Sequence, residues 1–349
     1  MGRTRVAVVG CGSVSEHYLN DLKQCPYAEV VSLCDVERSR AEARARQFGV
    51  GAVFGSVVEA LAGPELDLLV NLTSMPSHYG VNLAALEAGK PVLCEKPLST
   101  RLEQGRELMA LARQQGVRLY GAPTTTLSPA FRDLARLIAS GELGQVVAAH
   151  ARYGHPGPSW GPWFYGPEGG CLFDLGVYNV TTLTGLLGPV RSVAAVMGTV
   201  VPEREVEGQR VQVASEDNAA LLMDHDNGCT SCLQTGFTYA SFEDDWTLEV
   251  LGRDGSAYLL GYDWAPQGVG LRMGASLERR GENQGGYRWQ GGASYLAECL
   301  ATGREPMLSG EHALHVLEVM VAAKRSAAEG RRVAVESRFA LPSGDSPYA

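Results

Sequence analysis

The strongest constraint on this chain is a rhythm: over its first 121 residues, short apolar runs alternate with helical patterns. Residues 6–9 (Val-Ala-Val-Val) predict a strand. Residues 13–24 predict a helix, with Val14, Tyr18 and Leu22 four apart on one face. Residues 30–34 predict a second strand, and 39–48 a second helix closed by Gly49. The nearly continuous apolar run 66–72 predicts a strand buried on both faces of a parallel sheet. Helical patterns over 79–88 and 101–115, stopped by Gly89 and Gly116, then alternate with strands over 92–94 and 117–120. Repeated strand–helix–strand units imply right-handed crossovers, so this part has the α/β fold class with a doubly wound parallel sheet.

After Ala122-Pro123 the rhythm changes. A helix over 129–140 is followed by longer strand-like segments at 146–153, 190–200, 211–224, 229–239, 246–251 and 257–261. Turn chemistry such as Asp226-Asn227-Gly228 and Arg253-Asp254-Gly255 joins some of them, which predicts an open, mainly antiparallel sheet in an α+β domain. A helix over 312–328 and a polar tail close the chain. At roughly 100–200 residues per domain, 349 residues make two. The expected divisions are 1–123, 124–340 and a flexible tail at 341–349.

The net charge of −9 argues against a nucleic-acid surface or a polybasic membrane patch. No segment reaches the roughly 18 consecutive apolar residues of a membrane helix, and since residues 1–5 run straight into the first strand no signal peptide is expected. Eight scattered cysteines suit free thiols in a reducing cytoplasm, where the protein is expected. Cys229 and Cys232 are three apart in a strand and so face opposite ways; no metal site is expected. Glycine, 42 of 349 residues, stands at about 12% against a usual ~7%.

Some of that glycine marks a ligand loop. Gly10-Cys11-Gly12-Ser13-Val14-Ser15 follows the first strand and opens the first helix. Gly10 permits the tight turn, Gly12 lets the backbone approach a pyrophosphate, and the helix end at Ser13 and Val14 offers free N–H groups. Ser15 replaces the third glycine of the dinucleotide fingerprint. Asp35, 20 positions on, ends the second strand, where a carboxylate binds ribose hydroxyls. It would repel a 2′-phosphate, so NAD is the expected cofactor, while nearby Arg38 and Arg40 leave NADP open.

From residue 69 onward the match becomes specific. Leu69-Val-Asn-Leu-Thr73-Ser-Met-Pro76-Ser-His78, then Gly89-Lys-Pro-Val-Leu-Cys-Glu95-Lys96-Pro97, closely resembles the glucose–fructose oxidoreductase/inositol dehydrogenase/rhizopine-catabolism (Gfo/Idh/MocA) family. So do Gly169-Gly170-Cys-Leu-Phe-Asp174-Leu-Gly176-Val-Tyr178 and the closing Gly330-Arg331-Arg332-Val333. The resemblance extends from Val6 to about residue 335. It implies a Rossmann domain, an α+β domain, and a nicotinamide and substrate that meet between them.

The resemblance also assigns roles. Lys96, aimed by a cis peptide before Pro97, is implied to hold the reacting hydroxyl and help proton transfer. Many relatives have histidine where Tyr178 stands; here the residue is similar to that of the tyrosine-type subgroup of glucose–fructose oxidoreductase and dimeric dihydrodiol dehydrogenase. A free phenol has a pKa near 10, so a tyrosine base needs a nearby cation, and Lys96 is the candidate. Asp174, four residues before Tyr178 on an expected single helix face, would orient a substrate hydroxyl or the lysine. Thr73, Pro76, His78 and Glu95 join the cofactor side.

The aromatic, glycine- and proline-rich run from Tyr153 to Tyr165 supplies His155 and Trp163 as substrate-side residues for a carbohydrate-like ligand. Together these residues predict an NAD(P)-dependent oxidoreductase for a hydroxyl of a sugar, cyclitol or related diol. The alternatives are an NAD-dependent, redox-initiated glycosidase and a non-catalytic cofactor-binding regulator. The expected assembly is a homodimer or homotetramer formed through the second-domain sheet, with neither nucleic acid nor membrane as partner.

Overall fold

The computed structural model describes residues 2–240, 245–280 and 287–340, and the expected tail at 341–349 lies outside the described residues. The chain divides into two compact units. One comprises the residues through Thr124 together with Trp289–Leu314; the other comprises Thr125–Arg288 and the residues from His315 on.

The first unit alternates β1 (Thr4–Val9), α1 (Ser13–Gln24), β2 (Ala28–Cys34), α2 (Arg38–Phe48), β3 (Ala52–Phe54), α3 (Val57–Ala62), β4 (Leu68–Asn71), α4 (His78–Glu87), β5 (Val92–Cys94), α5 (Leu102–Gln115) and β6 (Leu119–Gly121). The strands form one parallel sheet in the order β3-β2-β1-β4-β5-β6, the doubly wound order expected from the alternation. Its centre is Val6, Val8, Leu68, Leu69, Val70 and Val92, all fully buried.

A single cut near residue 123 misses one element. The helix Gly292–Thr302 returns to the first unit, burying Ala293, Leu296 and Ala297. Thr4 Oγ1 donates to Ala297 O (2.7 Å), and the Ser294 hydroxyl hydrogen-bonds Asp21. Nothing in an amphipathic helix pattern says which of two sheets it will cover.

The second unit carries α6 (Pro129–Ala139), β7 (Val146–Gly154), α7 (Val177–Leu187), β8 (Val190–Gly198), β9 (Glu203–Val206), β10 (Gln209–Gln212), β11 (Asn218–His225), β12 (Thr230–Gly236), β13 (Trp246–Gly252), β14 (Ser256–Tyr262), β15 (Ala265–Met273), β16 (Ser276–Arg280) and β17 (Val333–Ala334). Nine of these strands form a mixed sheet in the order β16-β15-β14-β13-β7-β12-β11-β8-β17. Among the described residues of this sheet, only the β7–β12 pairing is parallel.

The helices α6 and α7 pack on this sheet. Along an outward row, Leu222, Cys232, His150, Glu249 and Tyr258 stand in register. The segment expected as one strand over 211–224 is broken between β10 and β11. There the buried Asp217 turns its carboxylate to the Val200 and Val201 amides (both 2.8 Å). The glycines of β15 hide its alternation, which is why sequence patterning passes it over.

Two buried histidines of this unit predict how it responds to acid. His315 Nε2 accepts from Val190 N (2.9 Å), and burial pushes the ring down to about 4. His225 sits between Gly188 O and Ser231 Oγ, and burial lowers it as well. In the unfolded chain an imidazole protonates near pH 6.5, so below that pH the unfolded state binds protons the folded state does not. Stability is therefore expected to fall as pH drops from about 6.5 toward 4. His315→Gln, which keeps an acceptor for Val190 N, should flatten the decline of the thermal midpoint. An unchanged slope would refute the assignment.

Candidate active site

In the first unit the strand order reverses between β1 and β4, the crevice position where open parallel sheets take ligands. Gly10 has φ +97°, and a Cβ there would lie 2.5 Å from the Leu72 carbonyl carbon, so the backbone admits only glycine. Gly12 is the N-cap of α1 and makes no side-chain cap; a Cβ on it would meet no protein atom within 4 Å. Packing does not demand this second glycine. Ser15 is fully buried and turns its hydroxyl back to Gly12 O (2.6 Å), an acceptable substitute for a third glycine.

Asp35 does more than its spacing foretold. Its Oδ2 accepts from Cys11 N (2.7 Å) and its Oδ1 from Glu37 N (2.8 Å), tying the end of β2 to the glycine loop. Each oxygen keeps a further lone pair for a ligand hydroxyl. Beyond it, Arg38 pairs with Glu42 (3.2 Å) and Arg40 with Glu37 (2.9 Å). The glycine turn, the uncapped helix start and this carboxylate together fit a dinucleotide.

The ends of β4 and β5 form a second network. Asn71 donates to Asn82 Oδ1 (2.8 Å) and to His78 O (3.1 Å), and its Oδ1 accepts from Thr73 Oγ1 (2.7 Å). His78 is buried, with its ring nitrogens 2.7 Å from Pro97 O and 3.0 Å from Thr73 O; burial lowers its pKa. It braces the Thr73 segment against the Lys96-Pro97 segment, while Pro76 is exposed. The Lys96–Pro97 peptide is cis, as expected, and so is Ala122–Pro123. Glu95 accepts from Tyr18 OH (2.6 Å) and from the Lys96 amide (2.9 Å), so the backbone that presents half-buried Lys96 is held from both sides.

In the second unit, Asp174 and Tyr178 do not share one α-helix. Leu172–Gly176 forms a π-helical turn, and α7 begins at Val177. The turn is pressed toward β12: a Cβ on Gly176 would lie 2.7 Å from Leu172 Cδ1 and 3.2 Å from Thr235 Cγ2. Asp174 is nearly buried and Tyr178 half-buried.

The glycines before this turn also have a reason in packing. Gly170 has φ +109°, and a Cβ there would run into the Glu216 carboxylate. Glu216 Oε1 accepts from Leu172 N (3.2 Å), its Oε2 pairs with Lys324 Nζ (3.2 Å), and Lys324 donates to Gly169 O (2.8 Å). In the loop upstream, His155 packs with Tyr153 and Phe237, and Trp163 packs with Trp160 and Phe164. Among the described residues, no cluster of three or more His, Cys, Asp or Glu side chains is arranged to hold a metal.

The family model of oxidoreductases with an NAD-binding Rossmann fold matches residues 4–122, and the GFO/IDH/MocA C-terminal domain model matches residues 131–258. The chain belongs to the Gfo/Idh/MocA family. Among its relatives, D-apiose dehydrogenase of Paraburkholderia graminis is 25% identical over 96% of this chain and 90% of its own length. Trans-1,2-dihydrobenzene-1,2-diol dehydrogenase of Oryctolagus cuniculus is 31% identical over 74% of this chain and 76% of its own. The solved structure of levoglucosan dehydrogenase, in complex with NADH and L-sorbose, superposes with a TM-score of 0.86 over 97% of this chain and all of that one, at 19% identity.

This Gfo/Idh/MocA oxidoreductase thus has an NAD-binding Rossmann unit followed by a mostly antiparallel mixed-sheet unit. Sequence reasoning missed Asn71, Tyr18, Glu216 and Lys324. Asn71 alone carried a signal, as a polar residue ending the apolar run of β4.

Proposed function

We propose that the protein is an NAD-dependent dehydrogenase or reductase acting on a hydroxyl-bearing carbon of a sugar, cyclitol or related diol. The observation that carries this reading is the Lys96-Pro97 segment at the end of β5, fixed by Glu95 and His78, in a chain that also places Tyr178 in the first turn of α7. The sugar and diol dehydrogenases among the relatives support the substrate class.

Bound NAD supplies the hydride acceptor. Gly10 and Gly12, with the amides of Ser13 and Val14, would hold its pyrophosphate, and Asp35 the adenosine ribose. Thr73 and Pro76 would line the nicotinamide side, with His78 and Glu95 bracing the loops from behind. Lys96 holds the substrate oxygen and stabilises negative charge there. Tyr178 takes the hydroxyl proton, or returns it in reduction. Asp174 orients a substrate hydroxyl or the lysine, and His155 and Trp163 offer ring faces to the substrate.

Asp35 disfavours a 2′-phosphate, and Arg38 and Arg40 are already paired with carboxylates, so NAD is the favoured cofactor. The test is a panel of aldoses, cyclitols and diols scanned for cofactor reduction. At least one should turn over, with kcat/KM for NAD exceeding that for NADP by about tenfold or more, the worth of ~1.4 kcal/mol. Cofactor binding without reduction by any of them would sink the reading. Turnover of a glycoside without net NADH would point instead to the redox-initiated glycosidase.

The outward sheet face, with Val196 76% and Leu222 65% exposed, is proposed as the contact between copies in a homodimer or homotetramer. All eight cysteines are free, which suits a reducing compartment such as the cytoplasm. Among the described residues, no helix is long and apolar enough to cross a membrane.

A further inference from the structure

Asp263 lies in the turn between β14 and β15 and is 3% exposed. Its Oδ1 accepts from Thr247 Oγ1 on β13 (3.0 Å) and from Asn179 Nδ2 on α7 (2.9 Å). Its Oδ2 makes no hydrogen bond of good geometry, the nearby Thr182 hydroxyl being turned to Thr125 Oγ1 and Tyr178 O (both 3.1 Å), and Oδ1 of the fully buried Asn179 is likewise unpartnered. An ionised carboxylate with one bare oxygen is costly in such a place.

The groups that act on Asp263 from the elements packed against it are neutral: Asn179 and Thr182 from α7, and Thr247 from β13. The titratable residues flanking the cluster in sequence, Tyr178 before Asn179 and Tyr262 before Asp263, bring no positive charge. Burial pushes the carboxyl pKa up. Both bare atoms are oxygens on side chains already joined by the Asn179 Nδ2–Asp263 Oδ1 bond, so a proton on the carboxyl is the donor that this pair lacks.

We propose that Asp263 is held as the neutral acid, its Oδ2–H donating to Asn179 Oδ1 while Asn179 Nδ2 donates to Asp263 Oδ1. This closed acid–amide pair makes Asp263 a positioning residue. It joins the start of α7, and so Tyr178, to the turn whose Trp264 stacks on Tyr262 with ring centroids 5.3 Å apart. Its catalytic consequence rests on the proposed role of Tyr178; the protonation itself does not.

Asp263→Asn reproduces the same pattern with an amide in place of the acid. A wild-type-minus-variant infrared difference spectrum at pH 7 should therefore show the carbonyl stretch of a protonated carboxylic acid. In wild type the unfolded carboxyl ionises near pH 4 while the folded one does not, so folded stability falls as pH rises. The thermal midpoint of Asp263→Asn should accordingly gain on wild type from pH 4 upward.

Asp263→Asn should keep kcat within about threefold, whereas Asp263→Ala should lose about tenfold or more in kcat with KM for NAD little changed, as misplacement of a reacting group does. A missing infrared band, or an Asp263→Asn variant as impaired as Asp263→Ala, overturns the pair. Should Asp263→Ala not fold, the band and the midpoint trend of Asp263→Asn still decide. A fully active Tyr178→Phe would overturn the positioning role while a positive band upheld the neutral acid.

Discussion

Tyr178→Phe is expected to lower kcat by about 10²–10⁴-fold, the range for losing a general acid–base group, with KM for NAD and the thermal midpoint close to wild type. The substitution removes one hydroxyl and keeps the ring. Tyr178 is half-buried in the first turn of α7, where its neighbours Val177, Asn179, Val180, Thr181 and Thr182 are buried. Fold and the proposed proton transfer can therefore be separated at this position.

Lys96→Met should lose activity on a similar scale, because an ammonium that stabilises charge on the substrate oxygen is worth most in the transition state. The double variant should be little worse than either single one, since groups that act as a unit are not additive. Steady-state kinetics on a substrate from the panel checks all three. Full activity in Tyr178→Phe with inactive Asp174→Ala would move the proton-transfer role to Asp174. Lys96→Met within about threefold of wild type would remove the lysine from the mechanism.

The first unit was readable because its signals are local. Gly49, Gly89 and Gly116 sit in the left-handed conformation that closes helices, with φ of 76°, 67° and 67°, and β5 and β6 are short apolar runs just beyond such stops, whereas three-residue β3 and six-residue α3 are too short to show a pattern. The glycine loop proposed to hold the cofactor is equally local: Gly10, Gly12 and Asp35 occupy fixed offsets from β1 and β2. Contacts between distant segments were not readable. The spacing of Asp35 says nothing of the Cys11 amide it clamps, and the Pro-x-His motif says nothing of Pro97, 19 residues beyond His78. In the second unit, strand order and register depend on pairings that no local pattern encodes, and glycine obscures β15. The helix expected to carry Asp174 and Tyr178 on one face begins instead as a π turn. At Gly176 the turn meets Leu172 and β12 too closely for a Cβ, a tertiary contact that residue spacing does not encode.

Glu216 and Lys324 show the same limit at its sharpest, and they carry the second large expected effect. In the sequence each stands beside another charged residue, Asp217 and Arg325, and looks like surface. In the fold, Glu216 is 8% and Lys324 26% exposed, and the ammonium lies 4.1 Å from the Phe173 ring centre. Their carboxylate and ammonium satisfy Leu172 N and Gly169 O, the backbone groups that launch the π turn.

Glu216→Ala strands the Leu172 amide and takes the counter-charge from Lys324, which keeps its bond to Gly169 O. Breaking a fully buried pair costs about 3–5 kcal/mol; with Lys324 partly solvated, about 2–4 kcal/mol is expected here, together with a fall in kcat as Asp174 and Tyr178 lose their footing. Lys324→Met keeps the stem over Phe173 but leaves the more deeply buried Glu216 carboxylate without its cation and Gly169 O without its donor, so it should cost a comparable amount, about 2–4 kcal/mol. The double variant should then cost less than the two single costs added together, because no charge is left without its counter-charge. Chemical denaturation of the four proteins measures this coupling. Strict additivity would mean that the two residues stabilise the turn independently, and the ion pair would not be what holds it.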